Sequence, residues 1–438
     1  MQMPLCQVLM MTLAAGAANA QIRLPSLPLP NLPLQTLPQD VGNLEAQSAD
    51  RLHDLRRVAA EKLIRTNRRS IDADPAGEPI VRDEILLFAP IEAVRDRVRS
   101  LGFVVDREQE IAGLNIHVAV LKAPTGMSAK KALRVLRDAD PGGVYDYNHI
   151  YIGSGIASSD RLAVLKARTQ ESPSSLSGSP QAASHPVRIG LLDSGIETSH
   201  PVFGSEILHT WGCAGRVIPA SHGTAVASLL VGRSEVFHGV RPDAELYAAD
   251  VYCGAPTGGA VDALVAAFGW MVREKVPVIN VSLVGPKNLM LERVVASLIA
   301  GGYLIVAAVG NDGPAAPPLY PASYPHVVGV TALDAHRHVL IEAAHGAQVL
   351  FAASGADMPA AALDQAYQSV RGTSFAAPIV AALLAGKMSE PDAAAAAAAV
   401  DALAESAIDL GPPGKDLTYG FGWVGSDYRV DPAPPIKR

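Results

Sequence analysis

Four short segments carry side chains whose chemistry can combine. In Gly372-Thr373-Ser374-Phe375-Ala376-Ala377-Pro378 a turn of small residues opens an apolar helix, Ile379 to Ala385. A hydroxyl there faces backbone N–H groups and the positive end of the helix dipole, which favour developing negative charge. Pro378 fits an early turn, where its missing N–H does no harm. In Ser221-His222-Gly223-Thr224-Ala225 an imidazole stands at the opening of another apolar helix, with Gly223 permitting close approach. In Ile189-Gly190-Leu191-Leu192-Asp193-Ser194-Gly195 a buried strand ends on an acid, which can be desolvated and aimed. In Ala307-Ala308-Val309-Gly310-Asn311-Asp312-Gly313 a buried strand ends in Gly-Asn, leaving a side-chain amide free to donate. Taken singly, each has an ordinary structural reading: an N-cap serine, an exposed histidine, a turn aspartate, a turn asparagine.

Together they supply a nucleophile (Ser374), a base (His222), an orienting acid (Asp193) and an oxyanion donor (Asn311), in the chain order Asp, His, Asn, Ser. A donor fixed at a forming oxyanion lowers a barrier by about 3 kcal/mol, so a held amide beside a nucleophilic hydroxyl is chemically meaningful. These four segments resemble the signature blocks of the subtilisin-like serine peptidases. The resemblance runs from about Val187 to Val424 and closes in Tyr419-Gly420-Phe421-Gly422-Trp423-Val424, which is similar to the family's Y-G-x-G ending. It implies that Ser374 attacks the scissile carbonyl, His222 takes and returns the proton, and Asp193 orients the imidazolium. Asn311 and the Ser374 N–H would then hold the oxyanion.

The resemblance also assigns the stretch Val278 to Gly285 to the substrate-binding strand, with Ser282, Leu283, Val284 and Gly285 facing the peptide. Val284 stands where the family usually has a second glycine, so the pocket before the cut is expected to be narrower or tilted. After His222 the family's His-Val-Ala-Gly is replaced by Ala225-Val226-Ala227-Ser228, which keeps the helix packing. The passage Val231 to Gly239 is too short for the Asn-rich loop of the tight calcium site, so that site is expected to be absent. No metal or other cofactor is needed for the implied chemistry. Structural calcium elsewhere is left open and not expected, because such cages draw on backbone carbonyls.

The elements that must position these residues are legible as alternating runs. Strand-like Val187–Leu192, Leu246–Val251, Val278–Val281, Leu304–Ala308 and Val327–Val330 alternate with helical Thr224–Leu230, Ala260–Val272 and Leu289–Ile299. That order predicts an α/β fold, a doubly wound, mostly parallel sheet with right-handed crossovers and ligands at the carboxyl ends of its strands. Upstream, Glu84–Ala89, Ile91–Leu101, Val104–Glu110, Asn115–Lys122, Ser128–Ala139 and Val144–Ile150 read as β-α-β-β-α-β, a small α+β, ferredoxin-like domain. Its element order is similar to the family's propeptides, which implies an intramolecular inhibitor that assists folding and is cut off between Tyr151 and His185. The expected boundaries are a signal segment 1–20, a Pro-rich spacer and basic helix 21–80, the propeptide-like domain 81–152, a Ser- and Pro-rich linker 153–185, the peptidase domain 186–428 and a tail 429–438.

Composition bounds the partners. The chain has 438 residues, 49% of them apolar, enough for a sizeable core beside a smaller domain. A formal charge of −7, with no basic tract in the catalytic half, excludes a nucleic-acid partner and leaves protein or peptide substrates. Pro4 to Leu13 followed by Ala18-Asn19-Ala20 reads as an export signal cleaved before Gln21, although no Lys or Arg precedes it. The chain is therefore expected in the periplasm or outside the cell, with no transmembrane anchor, since Val294 to Val309 is broken by Gly301-Gly302. Cys6 would leave with the signal; Cys213 and Cys253 then form either a disulfide or two buried thiols. Three other readings compete: a non-catalytic scaffold that binds peptides, an esterase, and a phosphate-binding loop. All four functional positions are filled, which disfavours the scaffold. Ser374 lacks a G-x-S-x-G elbow, and Gly411-Pro412-Pro413-Gly414-Lys415 has the wrong spacing for a phosphate loop.

Overall fold

The computed structural model describes residues 57–88, 92, 94–153, 155–161, 186–204, 208–235, 237–255 and 258–428. The expected signal segment, the Pro-rich spacer, part of the basic helix, most of the linker and the tail lie outside the described residues. The described part of the basic stretch is a helix, α1, over residues 57–66.

The small domain consists of β1 (Ile71–Ala73), β2 (Pro79–Phe88), α2 (Arg95–Ser100), β3 (Val104–Ile111), β4 (Ile116–Lys122), α3 (Ala129–Ala139) and β5 (Tyr145–Gly153). Its antiparallel sheet has the order β5-β2-β4-β3, with β1 paired to β2. The expected β-α-β-β-α-β order holds, but the domain begins about ten residues before residue 81. Asp74 turns the chain back at Pro75-Ala76-Gly77 by accepting from the N–H groups of Ala76 and Glu78, each at 2.8 Å, and Ile71 is buried by the pairing. A three-residue strand offers too short a run for periodicity to register.

The central strand β4 is buried on both faces, with alternate residues going to different cores. On β4, Ala119 and Leu121 join Ile85, Leu87 and the apolar sides of α2 and α3, while Ile116, Val118 and Val120 face the large domain. Each of these three branched side chains contributes roughly 1.5–3 kcal/mol by leaving water.

After β5 the chain continues as β6 (Ile156–Arg161), where a linker from residue 153 was expected. That expectation is corrected as far as Arg161. The stretch Ile-Ala-Ser-Ser-Asp-Arg has no apolar periodicity, and it is a strand because its backbone pairs with an edge formed elsewhere in the chain.

The large domain runs β7 (Arg188–Asp193), β8 (Leu208–Gly212), α4 (Ser221–Val231), β9 (Glu245–Asp250), β10 (Gly259–Ala260), α5 (Val261–Arg273), β11 (Val278–Val281), β12 (Leu283–Val284) and α6 (Leu289–Ala300). It continues with β13 (Leu304–Ala308), β14 (Val328–Leu333), β15 (Val349–Ser354), β16 (Ala356–Ala361), β17 (Tyr367–Arg371), α7 (Thr373–Ala385) and α8 (Ala393–Glu405). Among the described residues seven of these strands form a parallel sheet, order β15-β14-β13-β11-β7-β9-β8. All its strands but the edge strand β8 are buried on both faces, as a sheet covered by helices requires. Along β13, Leu304, Val306 and Ala308 pack toward α4, α7 and α8, and Ile305 and Ala307 toward α5 and α6. A second, antiparallel sheet is built from β16, β17 and β6.

The two domains meet through the outer face of the small sheet and the amino ends of α5 and α6. The first N–H groups of a helix have no partner within it, and the dipole adds positive potential there. Asp146 Oδ2 accepts from the Leu289 N–H at 2.7 Å, and Asn148 Oδ1 accepts from the Asp262 N–H at 3.2 Å. α6 is also capped by its own Asn288, which accepts from Met290 and Leu291. Arg107 donates to Glu84 at 2.8 Å and to Asp262 at 2.9 Å, and Asn148 Nδ2 donates to both carboxylates at 2.8 Å.

Asp146→Ala in the uncut Ser374→Ala chain is expected to cost about 1 kcal/mol, since it removes a capping carboxylate. Calorimetry of the two full-length chains would read this as a melting temperature lowered by about 2 °C.

Candidate active site

The parallel sheet delivers its polar groups at one edge, where strands end and helices begin. Asp193 is the last residue of β7 and is fully buried. Its Oδ1 accepts from the Ser194 N–H at 2.7 Å and from the Ser194 hydroxyl at 3.1 Å. His222 is the second residue of α4, and its Nδ1 lies 2.8 Å from Asp193 Oδ1 and 3.0 Å from Oδ2. A carboxylate can only accept, so Nδ1 carries a proton, and in the neutral ring Nε2 presents a lone pair. Nε2 is buried and has no hydrogen-bond partner among the described residues. The helix reaches this position because residue 223 is glycine: a Cβ there would stand 2.1 Å from the Ser194 carbonyl oxygen.

Ser374 is the second residue of α7 and is fully buried. Its hydroxyl donates to the Ser282 carbonyl at 3.1 Å, and the Ser282 hydroxyl donates back to the Ser374 carbonyl at 2.9 Å. Asn280 Nδ2 donates to the same Ser282 hydroxyl at 2.9 Å. The Ser374 turn is thus tied to the segment that follows β11. The ring of Phe375, next to Ser374, is centred 5.3 Å from the His222 ring.

Asn311 follows β13 across Gly310, whose φ of 103° only glycine adopts readily. Asn311 Oδ1 accepts from the Thr373 N–H at 3.1 Å, and the Thr373 hydroxyl accepts from the Gly310 N–H at 3.2 Å. This reciprocal pair fixes the amide beside Ser374, and Asn311 Nδ2 is left buried with no partner among the described residues. Two unpaired buried polar atoms, an acceptor on His222 and a donor on Asn311, are therefore held by the two segments that flank the Ser374 turn. An unsatisfied buried group is costly, so such atoms suit a ligand that completes them.

The stretch expected to bind peptide divides in two. β11 lies inside the parallel sheet between β13 and β7, Leu283 and Val284 of β12 form the edge that pairs with β5, and Gly285 bridges to Tyr320. The groove is occupied by the chain itself. β5 pairs antiparallel with β12, Leu283 opposite Gly153 and Val284 opposite Ile152. On its other side it pairs with β10, Gly259 opposite Tyr151 and Ala260 opposite Ile150. Gly285 leaves room for the Tyr151 ring, since a Cβ at residue 285 would fall 2.8 Å from it, and the Tyr151 hydroxyl donates to the Pro286 carbonyl. Burial holds that phenol well above the usual tyrosine range. Further along, a Cβ at Gly155 would meet the Phe375 ring, and β6 then pairs with β17. Sequence reasoning did not single out β10, because two residues carry no periodic signal.

Cys213 and Cys253 are paired as a disulfide with their Cα atoms 4.9 Å apart. It ties the loop after β8 to the loop after β9. The same region is braced by Asp250, which accepts from the N–H groups of Ile218 at 2.9 Å and Tyr252 at 3.1 Å. Burial raises the Asp250 carboxyl above its ordinary range. Among the described residues, no group of three or more His, Cys, Asp or Glu side chains could hold a metal ion.

With this geometry established, residues 184–422 match the model of the subtilase family. The chain belongs to the subtilase family. It is 30% identical to subtilisin DY of Bacillus licheniformis over 248 residues, which cover 54% of this chain and 88% of that protein. It is 29% identical over 206 residues to the minor extracellular protease Epr of Bacillus subtilis, covering 46% of this chain and 32% of Epr. Subtilisin E of Bacillus subtilis is 29% identical over 252 residues, 64% of its length. The chain thus spans less than two thirds of several of the curated relatives it matches. Fervidolysin from Fervidobacterium pennivorans superimposes with a TM-score of 0.66 over 82% of this chain and 62% of its own, at 18% identity, and so shares the fold.

Two measurements probe this subtilase's site. If the unpaired Asn311 Nδ2 serves as the expected oxyanion donor, Asn311→Ala lowers kcat on a peptide substrate about a hundredfold with KM changed far less, since such a donor acts on charge that develops in the transition state. Replacing Cys213 and Cys253 together by Ser should cost about 2–4 kcal/mol, read as a lower urea midpoint under oxidising conditions.

Proposed function

We propose that this subtilase is an exported serine endopeptidase, made as a zymogen whose small domain inhibits it until the chain cuts itself. In this reading Ser374 Oγ attacks the scissile carbonyl while His222 Nε2 takes its proton, and Asp193 stabilises the imidazolium through Nδ1. The tetrahedral oxyanion accepts from Asn311 Nδ2 and the Ser374 N–H. His222 then returns the proton to the leaving amine. The acyl-enzyme is released by a water that attacks with the same proton shuttle in reverse.

The observation that carries the reading is the seat of β5. An extended peptide lies between β10 and β12 in the manner of a substrate strand, reaches His222 at Gly153 and lies beside the Phe375 ring and the Arg371 carbonyl, on either side of Ser374, at Gly155. Self-processing therefore falls at one of the two peptide bonds flanking Ser154, at the amino end of the range Tyr151 to His185. Once cut, the small domain remains bound through Asp146, Asn148 and the Arg107 network, and acts as an inhibitor until it is degraded. Export is supported by the signal-like first twenty residues, the disulfide, and the extracellular relative Epr. Among the described residues no helix is long and apolar enough to cross a membrane.

The test is to produce the chain and its Ser374→Ala variant without the signal, follow processing by gel, sequence the new N-terminus and label both with a fluorophosphonate. The wild type is expected to shorten, begin at Ser154 or Gly155 and take the probe, while the variant stays full length and unlabelled. A folded wild type that neither shortens nor takes the probe would leave a peptide-binding scaffold in place of the enzyme.

A further inference from the structure

Tyr252 follows β9 by two residues and is used by none of the chemistry above. Its hydroxyl accepts a hydrogen bond from the Gly153 N–H at 2.9 Å, a bond across 99 residues of sequence that belongs to no strand ladder. On the other side of Gly153 lies the catalytic imidazole. A Cβ at residue 153 would stand 3.1 Å from His222 Cδ2 and Nε2 and 3.2 Å from Cε1. The ring cannot swing away without breaking its bonds to Asp193. We propose that Tyr252 is a specificity-determining residue of this subtilase: with His222 it favours glycine carrying a free N–H at the substrate position beside the imidazole, and excludes proline there. This rests on reading β5 as a substrate-like strand.

Three features hold Tyr252 in place. Its own N–H is fixed by Asp250 Oδ1 at 3.1 Å, its neighbour Cys253 is bridged to Cys213, and its ring packs against the core shared by α5 and the small domain. Burial raises its phenol well above the ordinary range, with the nearby Asp193 carboxylate adding to the effect, so the hydroxyl stays neutral and presents lone pairs to an amide. A substrate whose nitrogen carries no hydrogen would bury this hydroxyl against a group that cannot donate, which is worse than never having formed the bond. Proline both lacks the donor and fills the space that glycine leaves open. Because the cut flanks Ser154, the position read is the first or second residue before the scissile bond. The favoured substrate class is thus an extended segment like Tyr-Ile-Gly-Ser-Gly-Ile, the stretch 151–156 of the chain itself.

The experiment uses the self-processed enzyme and the end-capped peptide Tyr-Ile-Gly-Ser-Gly-Ile, with the first glycine replaced in turn by sarcosine, alanine and proline. Sarcosine removes the N–H without adding a Cβ. It is expected to lower kcat/KM about tenfold with the wild type, while alanine lowers it several-fold by crowding the imidazole and proline abolishes cleavage. Tyr252→Phe should lower kcat/KM on the glycine peptide by a similar factor, and sarcosine should then cost nothing further, a coupling that a merely structural role would not produce. Equal sarcosine penalties in wild type and Tyr252→Phe overturn the proposal. If Tyr252→Phe does not fold, the wild-type ratio decides, and a difference below about twofold overturns it. An enzyme that digests casein but leaves the glycine peptide intact overturns the reading of β5 and this inference with it. Cleavage of that peptide with no sarcosine penalty overturns this inference alone.

Discussion

Two short backbone edges face each other across a groove, Gly259–Ala260 and Leu283–Val284, and the arrangement of the site follows from the need to pair them. Their N–H and C=O groups lie on largely buried residues, and buried backbone groups without partners are expensive. β5 fills the gap and satisfies both edges at once. The same strand carries Asp146 and Asn148 to the amino ends of α6 and α5, whose first N–H groups have the same requirement. A peptide bound in this way is held by its backbone, so its path is set before any side chain is chosen. That path leads to His222.

The parallel sheet accounts for the convergence of the reactive groups. Its strands run in one direction, so the carboxyl ends of β7 and β13 present Asp193 and Asn311 at one edge, and the helices that return from it begin with His222 and Ser374. Helix N-termini and strand ends are where backbone geometry leaves polar groups free. The side-chain bonds then fix each group by a neighbour: Asn311 by Thr373, Ser374 by Ser282, His222 by Asp193. Small residues allow this closeness, since Gly223 lets α4 pass beside the Ser194 carbonyl and Gly310 turns the chain between β13 and Asn311.

Legibility varied with length and with the range of the interactions. The long apolar elements could be read because burial on a helix or strand imposes a period: β11 and β13 lie within the expected bounds, and α4, α5 and α6 differ by a few residues at their ends. β1, β10 and β12 are two or three residues long and β6 is polar, so none has a period to detect. β6, β10 and β12 are strands only because a distant segment supplies the other half of each ladder, and β1 because the Asp74 turn folds β2 back onto it. The same applies to Tyr252, an ordinary core aromatic by sequence, whose hydroxyl acquires a role only when Gly153 is brought to it.

By itself the sequence determined which groups could do chemistry, their order along the chain, and the α/β scaffold with a smaller domain ahead of it. Those properties reside in local residue types and in hydrophobic periods. Tertiary structure decided that His222 Nε2 and Asn311 Nδ2 are left unpaired, that Cys213 and Cys253 come within bonding reach, and that the chain's own β5 occupies the groove. Each depends on contacts between residues tens to hundreds of positions apart. No local pattern encodes such contacts, because they are selected by the packing of the whole sheet and the cost of leaving buried groups unmatched.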